Sequence, residues 1–139
     1  ASINAAMIGG IAANNASGMC CGTSDNSYKT VEDMKVVFAD GSVLDTADAQ
    51  SRKSWESEHS KLVEELQTMR DEVQSDDKLR ELIKHKFKIK NTTGYSLNAF
   101  VDYHDPIDIL KHLLKRRLFI LLVMDCHIQA LKLKLIWLM

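Results

Sequence analysis

An α+β architecture is expected from this chain for three reasons. A run of small residues, Gly9 to Gly18, leads into a segment rich in strand formers around a tight turn. Two charge-rich stretches follow, with apolar residues three to four apart. A polar, turn-rich segment and an apolar stretch after Pro106 close the readable pattern.

Gly9-Gly10-Ile11-Ala12-Ala13-Asn14-Asn15-Ala16-Ser17-Gly18, continued by Cys20-Cys21-Gly22, leaves too little side-chain volume for an ordinary core. Glycine admits close backbone approach and positive φ, and Asn and Ser add short hydrogen-bonding groups. Such a run suits a chain wrapped against a large flat or phosphorylated cofactor. A flexible surface loop is the plain alternative. Ile8, Ile11, Ala12 and Ala13 weigh against it, because linkers are usually Gly/Ser/Pro mixtures without residues typical of buried strands. A few strands are therefore expected between residues 7 and 46. The clearest pair flanks Ala39-Asp40-Gly41, with Val36, Val37, Phe38, Val43 and Leu44 as strand-forming bulk.

The helical signals come next. Ser54 is the expected cap of a helix near 54–70 carrying Trp55, Leu62, Val63 and Leu66. Ser75 is the expected cap of a second, near 76–86, carrying Leu79, Leu82, Ile83 and Phe87. Glu64, Glu65, Arg70, Asp71, Glu72, Arg80 and Glu81 fall on the solvated sides. Lys84, His85, Lys86, Lys88 and Lys90 form a basic run, read as a solvated helix end, where cations are favoured. A loop over 90–106 and a helix starting near Ile107 complete the pattern.

Composition narrows the functional classes. With 45% hydrophobic and 27% charged residues over 139 positions, the chain can bury a core, and wholesale disorder is excluded. Eighteen Lys and Arg against 19 Asp and Glu give a net charge of -1, which supplies no field to draw nucleic acid or an anionic membrane. Cys20, Cys21 and Cys126 are odd in number and lack CxxC spacing, so neither a disulfide framework nor a zinc site is expected, and a reducing cytoplasmic setting is the simplest reading. His59, His85, His104, His112 and His127 show no metal-ligand spacing and read as surface or packing residues. Lys115-Arg116-Arg117 precedes an apolar run, Leu118 to Met124, that is far short of the roughly 20 residues a bilayer span needs. The tail could still lie on a membrane surface, pack as a helix or stay exposed.

The residue order carries a resemblance. Gly9-Gly10, followed by Asn15-Ala16-Ser17-Gly18, and then Val36-Val37-Phe38-Ala39-Asp40-Gly41 resemble the FAD-binding (PCMH-type) domain of vanillyl-alcohol-oxidase type flavoproteins. There a Gly-Gly-x-x-x-x-Asn-Ala-x-Gly run precedes a Val-Val-x-Ala-Asp-Gly hairpin. Lys90-Asn91-Thr92-Thr93-Gly94-Tyr95, before Asp105-Pro106, is similar to a segment of FAD-linked D-lactate and D-2-hydroxy acid dehydrogenases. Cys20-Cys21 and Asp25-Asn26-Ser27-Tyr28 look most like the long members, which hold iron-sulfur clusters in a separate part, outside this chain.

The resemblance implies FAD as cofactor, a small 2-hydroxy acid as substrate, hydride transfer to the flavin and a separate electron acceptor, with membrane association of the parent enzyme open. It implies that Gly9, Gly10, Asn15, Ala16, Ser17, Gly18 and Gly22 line the flavin and diphosphate through backbone N–H groups and short side chains. Val31 would meet the adenine end, with Asn14 a further neighbour. No catalytic or metal residue is assigned, because the family's own lie in a later substrate domain. The family's earlier pyrophosphate loop and its later Gly-Ser-Glu-Gly-Thr-Leu-Gly stretch have no counterpart here. Residues 1–114 are therefore expected to be a partial FAD-binding domain with a helical insert at about 52–87, and residues 115–139 a divergent, frame-shifted or aberrant tail. Such an internal fragment would bind FAD weakly or not at all by itself and would be inactive. Two other classes stay open: a small cofactor-free interaction module, and a peripheral membrane protein anchored by 115–139.

Overall fold

The computed structural model describes residues 6–16, 24–89 and 95–114, and these form an α+β arrangement of one small sheet and several helices. In chain order they are α1 (Ile8–Ala13), α2 (Ser27–Thr30), β1 (Lys35–Val37), β2 (Val43–Asp45), α3 (Ala49–Glu58), α4 (Ser60–Ser75), α5 (Asp77–Lys86), α6 (Ala99–Asp102) and α7 (Pro106–Leu114).

The hairpin forms where it is expected. β1 and β2 pair antiparallel with Val36 opposite Leu44 and Val37 opposite Val43. The Phe38 N–H donates to the Ser42 carbonyl at 2.9 Å, the Gly41 N–H donates to the Phe38 carbonyl at 3.0 Å, and Gly41 sits at φ +86°. This is a three-residue loop whose last position needs the left-handed conformation, which explains glycine there. Asp40 Oδ1 accepts the Ser42 N–H at 2.8 Å and stiffens the turn. Strand alternation sends Val36 and Leu44 inward and Val37 and Val43 outward.

Residues 8–13 are helical, not extended. Ala12 and Ala13 favour a helix, and the turn that follows at Asn14 and Asn15 closes it: Asn14 N–H donates to Gly10 O at 3.0 Å and Asn15 N–H to Ala12 O at 3.2 Å. The helical stretch also differs from expectation. It begins at Ala49, because Asp48 accepts N–H bonds from Gln50 and Ser51, at 3.0 and 3.3 Å. Ser54 lies inside α3 and is not a cap. His59 interrupts the run, dividing one expected helix into α3 and α4. Asp76 caps α5 through the N–H groups of Lys78 and Leu79, at 2.9 and 3.1 Å, whereas Ser75 ends α4 and bonds back to Glu72 O. In both places an aspartate directly before the first helical residue takes the cap, a carboxylate being a strong acceptor beside the positive end of a helix.

Two residues assigned to the solvated sides are bound to the body instead. Arg70 Nε donates to Tyr103 O at 3.4 Å, and Arg80 donates to Gln74 O at 3.0 Å. The expected 90–106 loop contains α6, while α7 starts at Pro106 as anticipated. Proline suits the first helical position, and Asp105 Oδ1 accepts from Ile107 and Asp108 at 2.8 and 3.1 Å. Residues 90–94, and the tail with its basic and apolar run, lie outside the described residues.

One core unites the hairpin with α3 to α7. Val36, Phe38 and Leu44 of the hairpin segment pack with Trp55, Leu66, Met69, Val73, Leu79, Ile83, Phe100, Ile107, Ile109 and Leu113. The helices at 49–86 share a core with the hairpin and do not form a separate lobe. Phe38, Trp55 and His59 stack in series, with ring centroids 5.1 and 4.3 Å apart. His59 places Nε2 3.0 Å from Asp40 Oδ2 and Nδ1 3.1 Å from Trp55 O, so the hairpin tip is fastened to the α3–α4 junction. On the opposite side Arg52 joins Thr46 O, Asp105 and Asp108 at 3.2, 2.9 and 3.5 Å. Lys111, itself buried, donates to Glu32 O at 2.9 Å and pairs with Asp108 at 3.1 Å.

Candidate functional site

The structure places the proposed cofactor residues in two groups. Gly9, Gly10, Asn14, Asn15 and Ala16 follow one another along α1 and the turn after it, and Val31 closes α2. Ser17, Gly18, Gly22 and the Cys20-Cys21 pair lie outside the described residues.

α1 and α2 are joined by side chains that hold the intervening turn. Ser27 donates its N–H to Ala16 O at 3.1 Å, and its Oγ lies 2.8 Å from Ala16 O and 3.1 Å from Ile11 O. Asn26 caps α2, accepting from the Lys29 N–H at 3.2 Å. Asn15 is the pivot. It is 1% exposed and adopts φ +46°, a left-handed conformation that asparagine tolerates better than most residues. Its Oδ1 accepts the Tyr28 N–H at 2.8 Å, while its Nδ2 is buried with no hydrogen-bond partner among the described residues. A buried amide N–H without an acceptor is costly, so an orphaned donor beside a small-residue turn is the kind of atom a ligand acceptor satisfies.

Backbone groups are engaged differently from the expectation drawn from the resemblance. The N–H groups of Asn14, Asn15 and Ala16 donate to Gly10, Ala12 and Ile11, and the Val31 N–H donates to Ser27 O at 3.2 Å. At these four positions the N–H groups serve the local turns, while the buried Asn15 Nδ2 keeps an unmet donor among the described residues. Gly10 has open space where a Cβ would stand, so no described neighbour requires glycine there.

Sequence reasoning missed Ser27 and Tyr28 as the residues that shape this turn. Asn26-Ser27 has the composition of a helix start and could have pointed to α2. Tyr28 is 5% exposed, and its phenol donates to Asp102 Oδ2 at 2.8 Å. Its ring meets His112 edge-on at 4.9 Å and Tyr103 at 6.3 Å, while Tyr103 and His112 stack at 3.9 Å. Burial raises the Tyr103 phenol above its ordinary range, with Asp102 and Asp108 adding to the shift. His112 Nδ1 faces Asp108 O at 2.8 Å and is part of the packing.

Charged groups elsewhere are structural. Hydrogen bonds from His59 and then Ser42 hold the Asp40 carboxyl well below the usual carboxylate range. Burial pushes Asp108 upward, but Lys111 and Arg52 outweigh it and the net shift is down. Ser42, His59 and Asp40 do not form a nucleophilic triad, since Ser42 Oγ and Asp40 both meet the same ring nitrogen, at 3.4 and 3.0 Å. Among the described residues no cluster of three or more His, Cys, Asp or Glu could hold a metal ion. Among them, too, no helix is long and apolar enough to cross a membrane.

Residues 1–47 match the family model described as FAD binding domain, a span that contains α1, α2 and the whole hairpin. The match supports reading this segment as part of the FAD-binding domain of a flavin-dependent oxidoreductase. No curated protein and no solved structure matches the chain.

Proposed function

We propose that this chain supplies part of the FAD site of a flavin-dependent enzyme that oxidises a D-2-hydroxy acid such as D-lactate. The observation that carries the cofactor reading is Asn15: a fully buried side chain in a left-handed turn, inside the matched segment, whose amide donor has no partner among the described residues. The open space beside Gly10 adds room for a flat ligand against bare backbone. The residues present therefore fit FAD as one contributing segment: Gly9, Gly10, Asn14, Asn15 and Ala16, with Ser17, Gly18, Gly22 and Val31 completing the proposed lining.

Bound FAD would supply the hydride-accepting ring, and the chain's share is to hold and orient it. Asn15 would donate from Nδ2 to an acceptor on the cofactor, while Ser27 and Asn26 keep the turn in shape. The substrate reading rests on the resemblance of Lys90-Asn91-Thr92-Thr93-Gly94-Tyr95 to the 2-hydroxy acid dehydrogenases. An electron acceptor and a cytoplasmic location, with the parent enzyme at the inner membrane face as a variant, belong to the same proposal.

The test is a titration of FAD, to concentrations on the order of millimolar, into the ¹⁵N-labelled chain, because one segment of a composite site binds weakly. The expected result is a saturable movement of backbone signals between Ile8 and Ala16 and of the Asn15 side-chain amide. Signals that stay fixed throughout, or move only at the basic surface of α5, would sink the cofactor reading and favour a cofactor-free interaction module.

A further inference from the structure

We infer that Tyr28 is a positioning residue for the Asn15 carboxamide, fixing which of its atoms meets a ligand and tying that setting to Asp102. The inference rests on the reading of Asn15 as a cofactor contact and extends it to how the contact is set. A backbone N–H can only donate, so the Asn15 atom 2.8 Å from the Tyr28 nitrogen must be the oxygen. The carboxamide cannot turn over without setting two donors face to face in a buried place. Nδ2 is therefore held on the other side, and the turn selects for a hydrogen-bond acceptor, such as a ring carbonyl, a ring nitrogen or a phosphoryl oxygen. It selects against a donor.

Tyr28 is held at both ends. Its backbone is set by α2, whose start is pinned to the Asn15–Ala16 turn by Ser27 and capped by Asn26. Its phenol is bound to Asp102 Oδ2, which also accepts the Asn98 Nδ2 at 3.0 Å. The ring lies edge-on against His112, in α7. A side chain fixed at its tip by α6 and along its ring by α7 leaves its own N–H little freedom to move away from Asn15. α6 and α7 thereby set the hydrogen-bonding polarity of the turn after α1.

Three variants test this: Tyr28→Phe, which keeps the ring and loses the phenol; Asp102→Ala, which loses the acceptor; and Asp102→Asn, which keeps one. The readout is the pair of Asn15 Nδ2 proton signals, before and after FAD. Tyr28→Phe and Asp102→Ala are expected to displace these signals in the free protein and to abolish their movement on adding FAD. Asp102→Asn is expected to restore both. Unmoved Asn15 signals in Tyr28→Phe and Asp102→Ala, or an Asp102→Asn variant as perturbed as Asp102→Ala, would overturn the inference. If the free-protein signals move as expected while FAD moves nothing even in the unaltered chain, positioning is supported and the flavin reading is the part that fails.

Discussion

Asn15 combines two demands that few side chains meet together: a left-handed backbone and an acceptor for the Tyr28 N–H. Replacing it by alanine should cost about 2 to 3 kcal/mol, from the lost acceptor of a buried N–H and from alanine's poorer tolerance of the left-handed backbone. Asn15→Gly should recover about 1 kcal/mol of that by relieving the strain alone, and urea denaturation of the two variants measures the difference. Gly41 makes a cleaner case, since a Cβ there meets nothing. Gly41→Ala should therefore lose only about 1 kcal/mol, the conformational cost of φ +86°, in the same assay. Both positions were visible in the sequence, Asn15 through its motif and Gly41 through the Ala-Asp-Gly turn. The engagement of the neighbouring N–H groups was not, because acceptors such as Ile11 O become partners only once α1 has formed.

At the scale of elements, the hairpin was legible because Ala39-Asp40-Gly41 dictates a turn and the flanking valines dictate strands. The region 8–13 was not. Its glycines speak against a helix and its isoleucines suggest a strand, and the helix is settled by a closing turn whose anchor, Ser27, lies well down the chain. The helix starts at 49 and 77 were misplaced for a different reason. At 77, Ser75 and Asp76 stand side by side and spacing alone does not show which turns back to the free N–H groups; at 49, the apolar spacing begins only at Trp55, so the polar first turn gave no signal. Asp48→Ala and Asp76→Ala should each destabilise the chain by about 1 kcal/mol, whereas Ser54→Ala and Ser75→Ala should stay within about 0.5 kcal/mol of the parent. Thermal melts monitored by helical circular dichroism separate the pairs.

At the scale of the whole molecule, the hairpin segment and the last helix are joined through charge. Asp108 has a folded-state carboxyl below its ordinary value because Lys111 and Arg52 outweigh its burial, and Asp40 is depressed by His59 and Ser42. A carboxyl depressed in the folded state adds stability above its unfolded value, near pH 4, and that stability is lost as pH falls through the folded value. The melting temperature should therefore drop below about pH 4, and Asp108→Asn should be less stable at neutral pH yet flatter across the acid range. An Asp108→Asn variant that follows the parent's acid slope would show that other carboxyls control it. This web was hidden from sequence reading, because Arg52, Asp105 and Lys111 lie on distant segments and carry no spacing that ties them together.

The longest of these links also set an order of events in the cell. Tyr28 meets Asp102 across 74 positions, and Lys111 meets the Glu32 carbonyl across 79. A ribosome makes the early turn and hairpin first, yet their fasteners leave the exit tunnel much later, so these contacts close only after Asp102 and Lys111 have emerged. Until then the nascent hairpin carries Val36, Phe38 and Leu44 uncovered, and chaperones that capture short apolar stretches would have their window on this protein in that interval.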